Sequence, residues 1–586
     1  MCGIHVIIEL FKPSEIRSER NGFQKLPQVL RSRLSRRGPD SVDQVEVTTC
    51  PREDGLKARL QFTSTVLALR GNELKRQPFV EAGADSVPWM AQRVLCWNGE
   101  VWRFEGAATT TGGNDGQMLY ERLTTTKDPF SVLRAVEGPF AFVYYDGPGG
   151  QLIYGRDRLG RRSLLQQTTA EGRLTLSSVS DFDAKETPSS LWTEVEADGF
   201  YVVDLLSKGQ KTSWTIVRHN WTDAFVGTSD YVVSGLGRFN GVSGLAGCYP
   251  LTAESRSVLQ LGEQLAASMR LRVLHVPQPP MVTAIDGNCC AKTAVRIAIL
   301  FSGGLDCTVI ARIAHDLLPI DQAIDLINVA FENPRVKAHL GQGADFYEEC
   351  PDRKTGRASV LELQKTCPGR NWQFLAVNVS YTEFSAHRLT IVSLMHPHDT
   401  EMDLSIASAL YFAARGVADA GETSARVLLS GLGADELFGG YGRHAVAFRI
   451  GASEASSGVV DADEKASTAG YAALARELHL DITRLSRRNL GRDDRVLSHW
   501  GREVRYPFLD EQLVRWAIAL PVWAKCDFGT ADGESKGLEP AKRVLRLLAN
   551  SLGLSGVARE KKRAIQFGAR TAKMEIGRIK GTARVG

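Results

Sequence analysis

Val295-Arg296-Ile297-Ala298-Ile299-Leu300-Phe301 runs straight into Ser302-Gly303-Gly304-Leu305-Asp306-Cys307, and this stretch sets the reading of the C-terminal half. The first seven residues are almost all apolar, the pattern of a strand buried on both faces. The glycine pair forces a turn, and a helical period begins near Thr308. A strand turning sharply into a helix start gathers backbone N–H groups and the positive end of a helix dipole, which suits an anion such as phosphate. Neither Gly-x4-Gly-Lys-Ser/Thr nor Gly-x-Gly-x-x-Gly is present here.

Outward from this loop, apolar runs over 325–331, 373–379 and 426–429 alternate with helical patterns over 308–317, 403–419 and 512–520. Such alternation predicts a parallel sheet with helices on both faces. The run 426–429 leads into Ser430-Gly431-Leu432-Gly433-Ala434-Asp435-Glu436-Leu437-Phe438-Gly439-Gly440-Tyr441. A plain turn before a helix accounts for these glycines but not for Asp435-Glu436. Gly- and Ser-rich residues 229–248 read as a linker, and the low-complexity stretches 273–292 and 451–469 as loop insertions.

Residues 1–220 read differently. Short strands at 4–9, 65–69, 94–97, 141–145 and 174–177, with a helical stretch at 116–123, predict a sheet-rich sandwich with flanking helices. Cys2-Gly3-Ile4 is followed in order by Arg37-Gly38-Pro39-Asp40, Leu67-Ala68-Leu69-Arg70, Asn98-Gly99-Glu100, Gly113-Asn114-Asp115 and Glu137-Gly138-Pro139-Phe140. Gly155-Arg156-Asp157-Arg158-Leu159-Gly160 completes the series. Singly, these are a small residue after Met1, a surface arginine and turn residues.

As an ordered set they resemble the class II glutamine amidotransferase domain, an N-terminal nucleophile hydrolase. The resemblance implies that Cys2, exposed by removal of Met1, is the nucleophile, with its own α-amine (pKa near 8) as base. It implies an oxyanion hole from the Asn98 side chain and the Gly99 N–H. It gives the glutamine α-carboxylate to Arg70 and the α-ammonium to Asp115, with Asn98 also at the glutamine. Val101-Trp102-Arg103, Gly116-Gln117 and Arg161-Arg162-Ser163 depart from that family's usual residues, and none removes an expected catalytic group.

Ser302–Cys307 resembles the pyrophosphate loop of ATP pyrophosphatases. The run 430–441, together with Tyr506-Pro507-Phe508-Leu509-Asp510 and Lys562-Arg563-Ala564-Ile565-Gln566-Phe567-Gly568, resembles the asparagine synthase domain. This implies ATP as substrate, bound by Ser302, Gly303, Gly304, Asp306, Cys307, Ser430 and Gly431, with Leu300 and Val329 against the adenosine. It implies Mg²⁺ on Asp306 and Asp435, and a phosphate contact from Lys562, with Lys561 as the competing choice. Cys307 stands where that family usually has Ser, and a thiol is the weaker donor. Leu432 stands where many asparagine synthetases have Glu, and it can do no acid–base work.

The expected architecture is α/β and α+β. An N-terminal nucleophile hydrolase αββα sandwich over 2–225 and a linker over 226–255 precede a parallel-sheet, adenine-nucleotide α-hydrolase-like domain over 256–586. The expected activity is glutamine-hydrolysing asparagine synthesis through an aspartyl adenylate. The alternatives are another acceptor carboxylate, or a regulatory homologue that forms no amide. Glutamine, ATP and aspartate are the expected substrates, and a homodimer is compatible with the resemblance.

Composition narrows the classes. The 71 Lys+Arg nearly balance 67 Asp+Glu, for a net +4, so no domain-wide basic excess points to nucleic acid. No apolar run approaches the roughly 20 residues of a membrane span, and Glu9 comes too early for a signal peptide. Ten scattered cysteines without Cys-x-x-Cys zinc spacing read as free thiols of a cytoplasmic protein.

Overall fold

The computed structural model describes residues 1–12, 26–49, 52, 54–71, 73–81, 92–109, 113–184, 191–206, 214–222, 231–241, 250–279, 294–339, 345–455, 462–529, 537–574 and 581–585. Two six-stranded antiparallel sheets form the N-terminal half. One runs Thr193–Glu194, Leu165–Thr168, Leu174–Ser177, Gly3–Phe11, Lys57–Val66, Ser41–Thr48. The other runs Ile216–Asn220, Gly199–Asp204, Gln151–Arg156, Phe140–Asp146, Arg93–Gly99, Phe79–Val80. Ile4, Val6, Ile8 and Phe62 from the first sheet meet Cys96, Val143 and Leu152 from the second in one buried core. Alternation along each strand supplies this inner face. Leu30 and Leu34 of the helix Gln28–Arg37 lie in a small cluster with Val179, while Leu119 and Leu133 from two other helices share a core with Trp97, Phe142 and Tyr144. The layers are therefore helix, sheet, sheet, helix.

The C-terminal half is built on a five-stranded sheet in the order Trp372–Val379, Ile324–Phe331, Ile297–Leu300, Val427–Leu429, Glu503–Arg505, and every pairing is parallel. Ile324–Phe331 is buried along its whole length, as a strand covered on both faces must be.

Several sequence expectations shift. The strand expected over 65–69 is Lys57–Val66, and residues 67–69 leave the sheet to line a pocket. The helix expected from Thr308 begins at Leu305, and the one expected to reach residue 419 ends at Arg415, where Gly416 takes a left-handed C-cap (φ 66°). Within the expected linker, residues 231–241 form a ribbon of Val232–Val233 against Gly237–Arg238. Val233, Leu236 and Phe239 are buried in the C-terminal core, and Asn240 N–H donates to Ile518 O at 2.7 Å. The insertion expected over 451–469 contains the ends of two helices, Gly442–Ala455 and Ala462–Leu485, that pack together. The low-complexity stretch over 273–292 begins on the last residue of the helix Arg256–Val273, and its residues 280–292 lie outside the described residues.

The halves meet through buried ions. Arg161 is paired with both Asp157 and Glu511, and Asp510 accepts from Arg103 and Arg272 at 3.0 Å. Arg37 reaches Asp494 at 2.8 Å, and Arg505 reaches Glu100 at 3.2 Å. The described residues include no helix long and apolar enough to cross a membrane. Six described cysteines are free, while Cys50, Cys248, Cys289 and Cys290 lie outside the described residues.

Candidate functional site

In the parallel sheet, chain order runs outward in both directions from Ile297–Leu300. Open parallel sheets bind ligands in the crevice at such a reversal, beyond the carboxyl ends of the strands. The two Gly-rich loops leave there and abut: a Cβ on Gly431 would lie 2.8 Å from Asp306 Cβ. Gly303 has φ +80°, and a Cβ there would sit 2.5 Å from the Gly356 backbone. Its carbonyl accepts from Ser359 Oγ at 2.6 Å, which pins the turn to the helix Pro351–Thr366.

Leu300, Ser302, Gly304, Asp306 and Cys307 line one cleft of about 1150 Å³, its open mouth included. Val329, Ser430, Gly431, Lys561 and Lys562 line it too, whereas Gly303 and Asp435 stand outside its lining. The Cys307 thiol is turned onto its own loop, donating to Gly304 O at 3.3 Å, and burial pushes its pKa up.

Asp306 and Asp435 converge on one ammonium. Lys542 Nζ lies 2.7 Å from Asp306 Oδ2 and 2.6 Å from Asp435 Oδ1, and Lys562 Nζ lies 2.5 Å from Asp435 Oδ2. Burial opposes ionisation of Asp435, but Lys542 and Lys562 outweigh it and hold the carboxyl well below its usual range. Lys542 was not legible as a site residue. It sits in the left-handed region (φ 54°), a strained position of the kind that clusters at functional sites. Of the two candidate lysines, Lys562 is the one bonded to Asp435, and Lys561 only lines the cleft. Asp352, also unforeseen, lines the cleft with its pKa pushed up by burial to about 7, despite Arg563 at 3.5 Å. Leu432 is half-buried, its N–H 3.3 Å from Ser430 Oγ.

The chemistry of this donor set fits a hard divalent ion such as Mg²⁺. Two carboxylates close enough to share an ammonium could share a divalent ion, which would need further oxygen ligands from outside the protein. No described group of three or more His, Cys, Asp or Glu side chains would hold a metal without such help.

A second pocket, of about 480 Å³, is lined by the N-terminal half and by Glu503 of the C-terminal half. Gly3 pairs with Thr65 in register, which places Cys2 at the mouth of the first sheet. Cys2 Sγ lies 3.8 Å from Gln77 Nε2, and Gln77 Oε1 accepts from Trp97 N–H at 2.9 Å, so this unforeseen amide is fixed by the strand that carries Asn98 and Gly99. Asn98 is fully buried, and neither polar atom of its side chain has a partner. Such a group costs about 1–3 kcal/mol unless a ligand meets it. Arg70 and Asp115 line the same pocket but face each other at 3.4 Å. Arg70 also donates to Val101 O and Thr109 Oγ1, each at 2.8 Å, and Asp115 accepts from Val101 N–H at 2.7 Å. Met1 is buried in the pocket wall, with its α-amine pushed down by burial to about 5.

The Asparagine synthase family model matches residues 288–584. The human asparagine synthetase domain-containing protein 1 is 32% identical over 98% of this chain and 96% of its own. The bovine protein of that name is 31% identical over 100% and 98%. The Saccharomyces cerevisiae asparagine synthetase domain-containing protein is 30% identical over 88% and 84%.

Proposed function

We propose, from the premise that this chain belongs to the asparagine synthase family, that it hydrolyses glutamine in its N-terminal half and forms an amide with ATP in its C-terminal half. The observation that carries the reading is the convergence of Asp306 and Asp435 on Lys542, beside the Gly-rich turn and Lys562.

With Met1 removed, the Cys2 amine takes the thiol proton, and the thiolate attacks the side-chain amide carbon of glutamine. The free side chain of Asn98 and the N–H of Gly99 meet the oxyanion. Glutamine's α-carboxylate and α-ammonium replace the Arg70–Asp115 contact with two new ones, keeping the pocket balanced. Ammonia leaves, and water releases glutamate. In the other half, the turn 302–304, Lys542 and Lys562 hold the ATP phosphates while a carboxylate attacks the α-phosphorus. Asp306 and Asp435 would hold a Mg²⁺, which when bound would supply charge neutralisation for departing pyrophosphate. Ammonia then attacks the acyl carbon, and AMP leaves. Aspartate is the first acceptor to test. Leu432 favours a second reading with a different carboxylate, since no acid–base group stands at that position. The cytoplasm, with its reduced thiols, suits either reading.

The test supplies glutamine, Mg-ATP and aspartate and follows pyrophosphate, glutamate and asparagine together. All three products support asparagine synthesis, and pyrophosphate with another acid only supports the second reading. No pyrophosphate and no glutamate with any acceptor sinks both. Cys2→Ala should lose glutamine use and keep ammonia use.

A further inference from the structure

Glu503 lines the Cys2 pocket but belongs to the C-terminal half, on the edge strand Glu503–Arg505 of the parallel sheet. It is 3% exposed, and it is clamped: Oε1 accepts from Arg505 Nε at 2.7 Å, and Oε2 lies 3.2 Å from Arg162 Nη2. Interface pairing alone does not need this carboxylate to border the pocket that holds the thiol. Arg505 already has Glu100 at 3.2 Å, and Arg162 has Asp494 at 3.8 Å.

The remaining charges around the pocket come from four other segments. Arg37, ending the helix Gln28–Arg37, donates through Nε to Cys2 O at 3.4 Å and through Nη2 to Asp494. Glu100, after the strand Arg93–Gly99, faces Arg70 and Arg505. Arg70 and Asp115 face each other. Lys75 and Glu73 line the outer rim and pair together at 3.1 Å. Burial disfavours an ionised Glu503, yet Arg505 and Arg162, with the amino terminus, hold it below its usual range. It is therefore a fixed negative charge beside the nucleophile.

We propose that Glu503 is a positioning residue of the thiol site: its carboxylate holds the amino group that Cys2 presents once Met1 is gone. The C-terminal half thereby supplies part of the N-terminal half's chemistry. The inference rests on the reading of Cys2 as an N-terminal nucleophile.

A carboxylate beside an amine favours the ammonium, and beside a thiol it opposes the thiolate, so it raises both titrations. Two readouts are taken against pH on the full chain: glutamate release, and iodoacetamide alkylation of Cys2 followed on the N-terminal peptide. Glu503→Gln should move the acid limb of both down by about one pH unit. Glu503→Asp, which keeps the charge, should leave both limbs near their wild-type positions. Arg162→Gln leaves Glu503 less compensated and should move the limb up. Should Glu503→Gln fail to fold, the Arg162→Gln direction decides. Limbs unmoved in folded variants, or moved the opposite way, overturn the proposal. Wild-type protein that releases no glutamate sinks the glutaminase reading instead, and alkylation, which needs no turnover, still tests Glu503.

Discussion

Gly303→Ala tests the proposed nucleotide loop most directly. At φ +80° a methyl group costs about 1–2 kcal/mol in backbone strain. The larger effect is steric. The new Cβ would lie 2.5 Å from Gly356 N, Gly356 Cα and Thr355 C, all of them backbone and unable to rotate away. Ordinary contact begins at 3.4 Å, so the turn must retreat by 3.4 − 2.5 = 0.9 Å. Displacing phosphate-binding groups by about 1 Å costs on the order of 100-fold in rate. Pyrophosphate release at saturating Mg-ATP, acceptor and ammonia should fall by about that factor. Gly304→Ala is the stability comparison: at φ −69° its Cβ meets only Ser302 Oγ at 3.4 Å, so its melting temperature should stay near wild type while that of Gly303→Ala drops. Pyrophosphate release by Gly303→Ala within about threefold of wild type would refute the argument that this turn positions the phosphates.

The other predictions concern charge. Glu511→Gln removes a fully buried partner of Arg161 and weakens the acceptor of Gly138 N–H, so stability to urea should fall by about 3 kcal/mol, and an unchanged midpoint would contradict the interface. Lys542→Met leaves Asp306 and Asp435 without their shared ammonium and should cut ATP-dependent turnover more than about tenfold. Because the folded pKa of Asp435 is depressed, its stabilisation exists above the ordinary carboxylate range and is lost as pH falls; unfolding titrations of Lys542→Met should show a smaller acid loss than wild type. Glu100 runs the other way. Burial, then Glu503 and Asp115, push its pKa up against the pull of Arg505 and Arg70, so the folded state takes up a proton at a higher pH than the unfolded state does. Its contribution is full below its unfolded pKa and fades as pH rises to about 8, and the stability of Glu100→Gln relative to wild type should therefore climb over that window.

Motifs that fold locally were legible. Ser302–Asp306 and Ser430–Asp435 each carry their turn and carboxylate in one short run, and the apolar strands before them announce a parallel sheet. The long strand Lys57–Val66 was hidden because its later residues are buried on both faces, which erases the two-residue alternation. The ribbon at 231–241 was hidden because three buried apolar side chains are diluted by Gly and Ser. The Ala-rich ends of the helices flanking 456–461 looked like low complexity, though alanine is the best helix former. Gln77, Glu503 and Lys542 carry no local signal. Each matters only through a partner that tertiary structure brings to it: Cys2 for Gln77, Arg162 for Glu503, Asp306 for Lys542.

The buried ions between the halves bear on how far such proteins can be taken apart. Cutting the chain near residue 240 would strand the guanidiniums of Arg37, Arg103 and Arg161 on one fragment and the carboxylates of Asp494, Asp510 and Glu511 on the other. Glu100 and Glu194 would part from Arg505 and Arg495 in the opposite sense, so each fragment would carry charges of both signs, arranged to match its absent mate. A chimera joining this N-terminal half to a foreign C-terminal half inherits the mismatch unless those partner residues travel with it. The same pattern favours the correct reunion of co-expressed fragments, because only the matching surfaces pair every buried charge with its opposite.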